Sequence, residues 1–445
     1  MSVLSETFSV CPVCLRRIGA SYVKKDGSVF LEKECGEHGK FSCLISADVA
    51  DFESWKTETV NVRPKEVLRQ AREGCPHDCG PCKNHLQTAC CVLIDVTDRC
   101  DQNCAVCFAS ASSEKSREPA LYEIERKYDT LLRMSETRKF NIQLSGGEPT
   151  VRDDLPDIVK MGKDKGFEYV QLNTNGKRIG EDDSYACILK QAGVDAIFMQ
   201  FDGMRDAVYE TLRNERLYEV KKKAVENCRR ARIPVALVPT IVRGVNDQEI
   251  GAIIRFMIDN ADLIKGVHFQ PVSLFGRYPE NFGDGQRFTM FDTVNEIHRQ
   301  TGGAVAKDDL APVSTGHNLC CFYANYLKQD DGSVLCTSAK ARKSGCCEVK
   351  PCCPPDIEVV SRDRDYVLNK WKMADTVSKD GFDEFLNKMR GNSFTITGMA
   401  FQDAMSLDTE RLRRCRVQTL TEGGALVPFC AYNLTDSSGN YLYRA

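Results

Sequence analysis

Three cysteines in the stretch Asp98-Arg99-Cys100-Asp101-Gln102-Asn103-Cys104-Ala105-Val106-Cys107 form a C-x3-C-x2-C array. Thiolates spaced this closely can hold three irons of a cubane cluster. The fourth iron is then open to a substrate or cofactor. Cys100, Cys104 and Cys107 are therefore the candidate catalytic centre.

A second array, Cys75-Pro76-His77-Asp78-Cys79-Gly80-Pro81-Cys82, repeats the spacing, and Cys90 and Cys91 follow it closely. Cys75, Cys79, Cys82 and Cys90 are enough to saturate a cubane. They are expected to form an auxiliary [4Fe-4S] site for electron transfer or structure, with a second zinc site as the alternative by ligand type.

Near the N-terminus, Cys11-Pro12-Val13-Cys14 and Cys35-Gly36-Glu37-His38 make two short knuckles around strand-like Ser28-Val29-Phe30-Leu31. Paired knuckles are how a zinc ribbon or rubredoxin-like site gathers four ligands. Cys11, Cys14, Cys35 and His38 are the preferred set for a mononuclear zinc or iron, and Cys43 competes as the fourth ligand. A module this small has little core, so the metal supplies much of its folding energy.

Cysteines return late in the chain as Cys320-Cys321, Cys336, Cys346-Cys347, Cys352-Cys353, Cys415 and Cys430. Turn signals at Asp330-Asp331-Gly332 and Glu422-Gly423-Gly424 predict two hairpins. The second would join Cys415 to Cys430, and convergence with Cys320 and Cys336 would build another auxiliary cluster. Adjacent residues on a strand face opposite ways, so one cysteine of each vicinal pair is ligand and its neighbour filler. The run Cys346–Cys353 reads alternatively as a redox segment. Cys187 and Cys228, alone in helical patterns, read as buried small hydrophobes.

The elements that must position these residues alternate. Strands are predicted at Val92–Val96, Asn141–Leu144, Tyr169–Asn173, Ala196–Phe201, Val235–Ile241 and Gly266–Pro271. Helical patterns lie between them at 121–137, 153–165, 183–193, 217–232 and 247–259. Six βα units imply a parallel sheet with helical crossovers. They are too few for eight-stranded closure, so a partly open barrel is expected. Its strand ends are polar: Ser145-Gly146-Gly147-Glu148-Pro149, Asn173-Thr174-Asn175-Gly176, Gln200-Phe201-Asp202-Gly203, Pro239 to Gly244, and His268-Phe269-Gln270-Pro271. In α/β folds that edge binds ligands. The glycines at 146 and 147 allow close backbone approach, and Glu148 can accept from an amino group.

These motifs together resemble the radical SAM superfamily. The resemblance implies a [4Fe-4S] cluster on Cys100, Cys104 and Cys107 with S-adenosylmethionine (SAM) on the open iron. Reduction would cleave the sulfonium to a 5′-deoxyadenosyl radical that abstracts hydrogen from a C–H bond. Glu148 with Gly146 and Gly147 would hold the methionine amino group. Asn173, Thr174 and Gln200 would serve the ribose or carboxylate. Val106 departs from the aromatic residue often found there, and Phe108 is the expected substitute. Beyond the barrel, the knuckles, the Cys75–Cys90 array and Phe429-Cys430-Ala431-Tyr432-Asn433 resemble the tetraether lipid synthase and pterin methyltransferase-like group, with related bacterial radical SAM (seleno)proteins.

The fold expectation is thus α/β: a partial (β/α)6 barrel at 92–304, preceded by a metal-knuckle domain at 1–60 and an auxiliary-cluster segment at 61–91. A Cys-rich α+β domain follows at 305–445. Apolar residues over 365–390 predict a helix pair packing on the barrel, and Lys340-Ala341-Arg342-Lys343 a solvated loop.

Composition narrows the class. The 445 residues carry 23 cysteines and a formal net charge of −3. Clustered thiols in a large chain with no signal-peptide pattern point to metals in a reducing cytoplasm, not disulfides. No basic stripe supports nucleic-acid binding, and no apolar run reaches membrane-spanning length. The expected function is C–H abstraction leading to C–C bond formation or alkyl or methyl transfer on a lipid or small molecule. A lipid substrate would allow peripheral membrane contact. A reductant such as ferredoxin or flavodoxin is the expected partner. The competing readings are an electron-transfer protein without SAM chemistry, a zinc-stapled scaffold, and a peptide-modifying enzyme, for which no winged helix is identified.

Overall fold

A computed structural model describes residues 1–444 except 58, 65–66, 136–138, 281, 314, 339–363, 365–370, 372 and 374–379. The N-terminal module is a four-stranded antiparallel sheet of β1 (Ser2–Val10), β2 (Arg17–Lys25), β3 (Ser28–Cys35) and β4 (Gly39–Ser46) in sequential order. The knuckles sit in the β1–β2 and β3–β4 turns. A short helix, α1 (Val49–Ser54), is capped by the Asp48 carboxylate.

The central sheet follows the predicted rhythm. Its strands are β5 (Cys91–Thr97), β6 (Asn141–Gly146), β7 (Val170–Thr174), β8 (Ala196–Gln200), β9 (Val235–Val238), β10 (Thr240–Ile241) and β11 (Ile264–Pro271). Successive neighbours β5-β6-β7-β8-β9-β11 are all parallel. Helices α2 (Leu121–Met134), α3 (Leu155–Asp164), α4 (Lys177–Glu181), α5 (Tyr185–Ala192), α6 (Asp206–Arg213), α7 (Tyr218–Ala231) and α8 (Ile250–Asp259) fill the crossovers. The sequence reading missed α4 and α6, which are short and polar. A ninth helix, α9 (Met290–Gln300), opens with a Thr289–Asp292 capping box.

Period-two alternation divides each strand between two environments. Ile142, Leu144, Val170, Leu172, Ile197, Val235 and Val267 face the helices and are almost fully buried. The alternate residues Gln143, Asn173, Phe198, Gln200, His268 and Gln270 are half-buried. They line the concave side of the sheet.

The sheet continues past residue 305. The remaining strands are β12 (Ala311–Pro312), β13 (Cys321–Lys328), β14 (Val334–Cys336), β15 (Ser393–Met399), β16 (Val417–Leu420) and β17 (Leu426–Pro428). β15 pairs parallel to β11 at one edge, and β16 pairs parallel to β5 at the other. The two predicted hairpins are present as β13–β14 and β16–β17. They extend the barrel sheet at both ends instead of forming a layer of their own, because β15 and β16 satisfy its open edges.

Of the helix pair expected at 365–390, residues 381–392 are helical, and residues 365–370 lie outside the described residues. Trp371 does not pack on the outside of the barrel. It is buried with Tyr169, Ala196 and Ala236 and meets Phe198 edge-on at 5.5 Å between ring centroids. These are concave-side residues at the N-terminal end of the strands, so the indole closes the barrel's floor. Cys346, Cys347, Cys352, Cys353 and the basic run 340–343 lie outside the described residues.

Candidate metal centres and cofactor site

The cysteine loop leaves β5 and is held on three sides. Its Cys100 N–H donates to the Ser112 carbonyl and its Ala105 N–H to the Leu212 carbonyl. Cys107 and Arg277 exchange both backbone bonds, at 2.8 and 2.9 Å. The Arg277 guanidinium also donates to the Cys104 and Ala111 carbonyls. The Arg213 guanidinium donates to the Val106 carbonyl at 2.9 Å and is fixed by a bidentate pair with Asp202 at 2.8 and 2.9 Å.

The donor set fits a thiolate-bound cluster. The Gln102 N–H donates to Cys100 Sγ at 3.4 Å, and the Gln102 side chain lies 3.5 Å from Cys104 Sγ. Gln102 is 3% exposed and its Nε2 has no hydrogen-bond partner among the described residues. A buried amide donor costs free energy unless something accepts from it. A thiolate or sulfide beside it is such an acceptor. Without metal, burial and the nearby Glu148 charge push the Cys100 thiol up, and burial raises Cys104 against the pull of Arg213. A coordinated metal reverses that preference by keeping the sulfur deprotonated.

The Gly-Gly-Glu-Pro segment sits directly against this loop. Gly147 N–H donates to the Thr97 carbonyl and Glu148 N–H to the Arg99 carbonyl. A Cβ on Gly146 would strike the Thr97 carbonyl, and one on Gly147 the Arg99 carbonyl. The close backbone approach these glycines permit is therefore to the cysteine loop itself. Glu148 is 1% exposed. Its carboxylate accepts from Thr150 N–H and Oγ1, Thr174 Oγ1 and Asn175 N–H, at 2.6 to 3.0 Å. Burial and the Asp101 charge raise its pKa against those donors.

The other expected cofactor residues fall at the same edge. Thr174 serves Glu148, while Asn173 Nδ2 donates to Gln143 Oε1 at 3.4 Å and Gln200 Oε1 accepts from Lys221. Val106 packs with Val208, Leu212, Val242 and Val272. Phe108 is committed to Phe429, 5.3 Å away between ring centroids, where Phe275 and Phe401 also gather. Asn175, Asp202, Arg213 and Lys221 were not identified as site residues from sequence. Asn175 and Asp202 lie within strand-end segments already noted, whereas Arg213 and Lys221 fall in no motif that the sequence singles out.

At the N-terminus, one ligand atom from each of Cys11, Cys14, Cys35 and His38 lies within 4.8 Å of the others. His38 Nδ1 is 3.6 Å from Cys11 Sγ and 3.5 Å from Cys35 Sγ. Backbone N–H groups of Glu37 and His38, with the His38 ring, lower Cys35 to about 6. Cys43 is buried on β4 opposite Leu31, outside this group.

Of the lone cysteines Cys228 is buried as expected, whereas Cys187 is exposed on its short helix; the others approach one another across the expected sets. Cys79 lies with Cys75 and Cys82 and also within electrostatic reach of Cys415. Cys415 in turn feels Cys430 and Cys320. Cys90 is beside Cys91, 3.7 Å between sulfurs, and acts on Cys321. Cys336 is placed elsewhere: it pairs with Tyr326 at the far end of β13 from Cys320. At roughly 3.3 Å per residue the six steps from Cys320 to Tyr326 cover about 20 Å along the strand.

Comparisons with known proteins identify the family. Residues 94–257 match the radical SAM superfamily model, and residues 3–47 match the HMPTM N-terminal zinc ribbon domain. The 7,8-dihydro-6-hydroxymethylpterin dimethyltransferase of Methanocaldococcus jannaschii is 32% identical over 475 residues, covering 96% of this chain and 93% of that protein. A probable GTP 3′,8-cyclase of Methanothermobacter thermautotrophicus is 30% identical over 165 residues, 37% of this chain and 52% of that protein. Methylornithine synthase is similar in structure with a TM-score of 0.39 and 15% identity, over 49% of this chain and 63% of that one. Among the described residues no helix is long and apolar enough to cross a membrane. The chain is an enzyme of the radical SAM superfamily, in the group of the pterin dimethyltransferase.

Proposed function

We propose that this enzyme activates a C–H bond of a small, hydrogen-bonding heterocycle of the pterin type and transfers a methyl or alkyl group to it. The observation that carries this reading is the polar concave wall. Tyr169 OH donates to Gln171 Oε1 at 3.2 Å, Gln171 Nε2 to Asn173 Oδ1 at 2.7 Å, and Asn173 Nδ2 to Gln143 Oε1. His268 Nδ1 bonds Thr397 Oγ1 at 2.8 Å on the same side of the sheet. Amides in series offer both donors and acceptors to a planar ring, as small-molecule sites commonly do. A lipid chain would offer nothing to the remaining hydrogen-bonding capacity of the half-buried Gln143 and Asn173 amides on that wall. The full-length relative named for a pterin substrate supports the same class.

Cys100, Cys104 and Cys107 would hold the [4Fe-4S] cluster, which with SAM supplies reductive sulfonium cleavage and hydrogen-atom abstraction. Glu148, backed by Gly146 and Gly147, orients the amino end of SAM. Asn173, Thr174 and Gln200 serve its hydroxyl and carboxylate groups. Arg213 and Arg277 keep the loop in place, and Trp371 shuts the barrel floor to water. Cys11, Cys14, Cys35 and His38 hold zinc or iron. Cys75, Cys79, Cys82 and Cys90, and Cys320, Cys415 and Cys430, supply the auxiliary clusters, fed by a small electron-carrier protein such as ferredoxin or flavodoxin. Cys336 drops out of the ligand set.

The test is anaerobic incubation of the iron–sulfur-loaded enzyme with SAM, dithionite and 7,8-dihydro-6-hydroxymethylpterin. The expected result is 5′-deoxyadenosine formation together with methylated pterin by mass spectrometry, with weaker pterin binding in Gln171→Leu. An unaltered pterin, alongside a lipid extract that is altered, would overturn the substrate class.

A further inference from the structure

Lys221 lies on α7 and is fully buried. An ammonium loses its hydration on burial, so lysine is rarely found there without a partner of opposite charge. Here its Nζ donates to two neutral acceptors, the Asn175 carbonyl and Gln200 Oε1. The face of Tyr209 lies 5.8 Å away. The charges that act on it are Asp202, Glu148 and Cys104, which favour the cation, and Arg213, which opposes it. Burial outweighs them and lowers the lysine to about 8. A cation kept in such surroundings has a role if negative charge gathers beside it, and Cys104, the one cysteine of the loop whose charge acts on Lys221, would supply that charge as a cluster-bound thiolate.

The contacts of Asn175 show what the lysine holds. Its N–H donates to Glu148 Oε2, its Nδ2 to Asp101 Oδ1 in the cysteine loop, and its carbonyl accepts from Lys221. Gln200 stands at the end of β8 on the concave side. Lys221 occupies its Oε1 and so fixes which end of the amide is acceptor and which is donor.

We propose that Lys221 is a positioning residue of the cofactor site. It locks the ends of β7 and β8 together and supplies the fixed positive charge that favours bound SAM and the reduced cluster. The proposal rests on the family's cluster and SAM and not on the pterin-type substrate, so failure of either leaves the other standing.

The test uses the full chain, reconstituted anaerobically, with Lys221→Met and Lys221→Arg. Lys221→Met is expected to bind SAM about tenfold more weakly, the loss of one charge-assisted bond. Its SAM-site cluster is expected to show a more negative midpoint potential in an EPR-monitored titration, at unchanged iron and sulfide content. Lys221→Arg keeps the charge but not the contact geometry, so its potential stays near wild type while SAM affinity falls. Either quantity at the wild-type value in Lys221→Met overturns the proposal. If Lys221→Met does not fold, Lys221→Arg and Gln200→Leu decide: SAM affinity at the wild-type level in both overturns it.

Discussion

The Asn175 side-chain amide donates to Asp101 Oδ1 at 2.7 Å, tying the end of β7 to the cysteine loop that leaves β5. One residue thus joins the cluster loop, Glu148 and Lys221. Asn175→Ala should release the loop at a stability cost of about 1–2 kcal/mol. Iron transfer to a chelator should be faster from the variant than from wild type. Equal transfer rates would count against the tie.

His38 is the proposed fourth ligand of the N-terminal site, because its Nδ1 lies 3.6 and 3.5 Å from the Cys11 and Cys35 sulfurs, while Cys43 is outside the group of converging ligand atoms. His38→Ala should lose the mononuclear metal and make the first 47 residues sensitive to protease, since metal binding is folding energy in so small a module. Cys43→Ala should retain the metal. Metal analysis of the two purified variants separates these outcomes.

The regrouped cysteines predict unequal iron losses. Three cubanes would carry about twelve irons. Replacing Cys415 or Cys430 by Ser should lower the iron count by up to about four, whereas Cys336→Ser should leave it unchanged. A loss of iron in Cys336→Ser would restore that residue as a ligand.

Lys265 gives a pH dependence far from any metal. Its Nζ donates to the carbonyls of Ala261, Arg390 and Gly391 at 2.6, 2.7 and 3.2 Å. Burial lowers it from 10.5 to about 8. Between those values the unfolded chain holds a proton that the folded chain has released, so the lysine adds stability as pH rises through that window. The slope reaches at most about 1.4 kcal/mol per pH unit. Denaturant unfolding of wild type against Lys265→Met across that range should show the difference growing with pH, and a flat difference would refute the shift.

Much of the site was legible because strands announce themselves by period and site residues by position. Val92–Val96 alternates between helix-facing and barrel-facing environments, yet both are buried, so it reads as one apolar run. The polar residues beyond each strand then fall on a single edge by topology alone. The knuckles were legible for a different reason: short spacing brings ligands together without help from the rest of the chain.

The sequence by itself determined the local chemistry: Cys100, Cys104 and Cys107 on one loop, Glu148 after two glycines, and the separate knuckles Cys11–Cys14 and Cys35–His38. Each is set by bonds between residues a few positions apart. Tertiary structure alone decided what distance in sequence conceals. It drew Cys415 toward Cys79 and sent Cys336 to the other end of β13. It also placed Trp371 at the barrel floor and buried Lys221 and Arg213, which no sequence motif marks, beside the cofactor edge of the sheet. Only packing removes water from such side chains, and a buried charge is defined by the partners that the fold supplies.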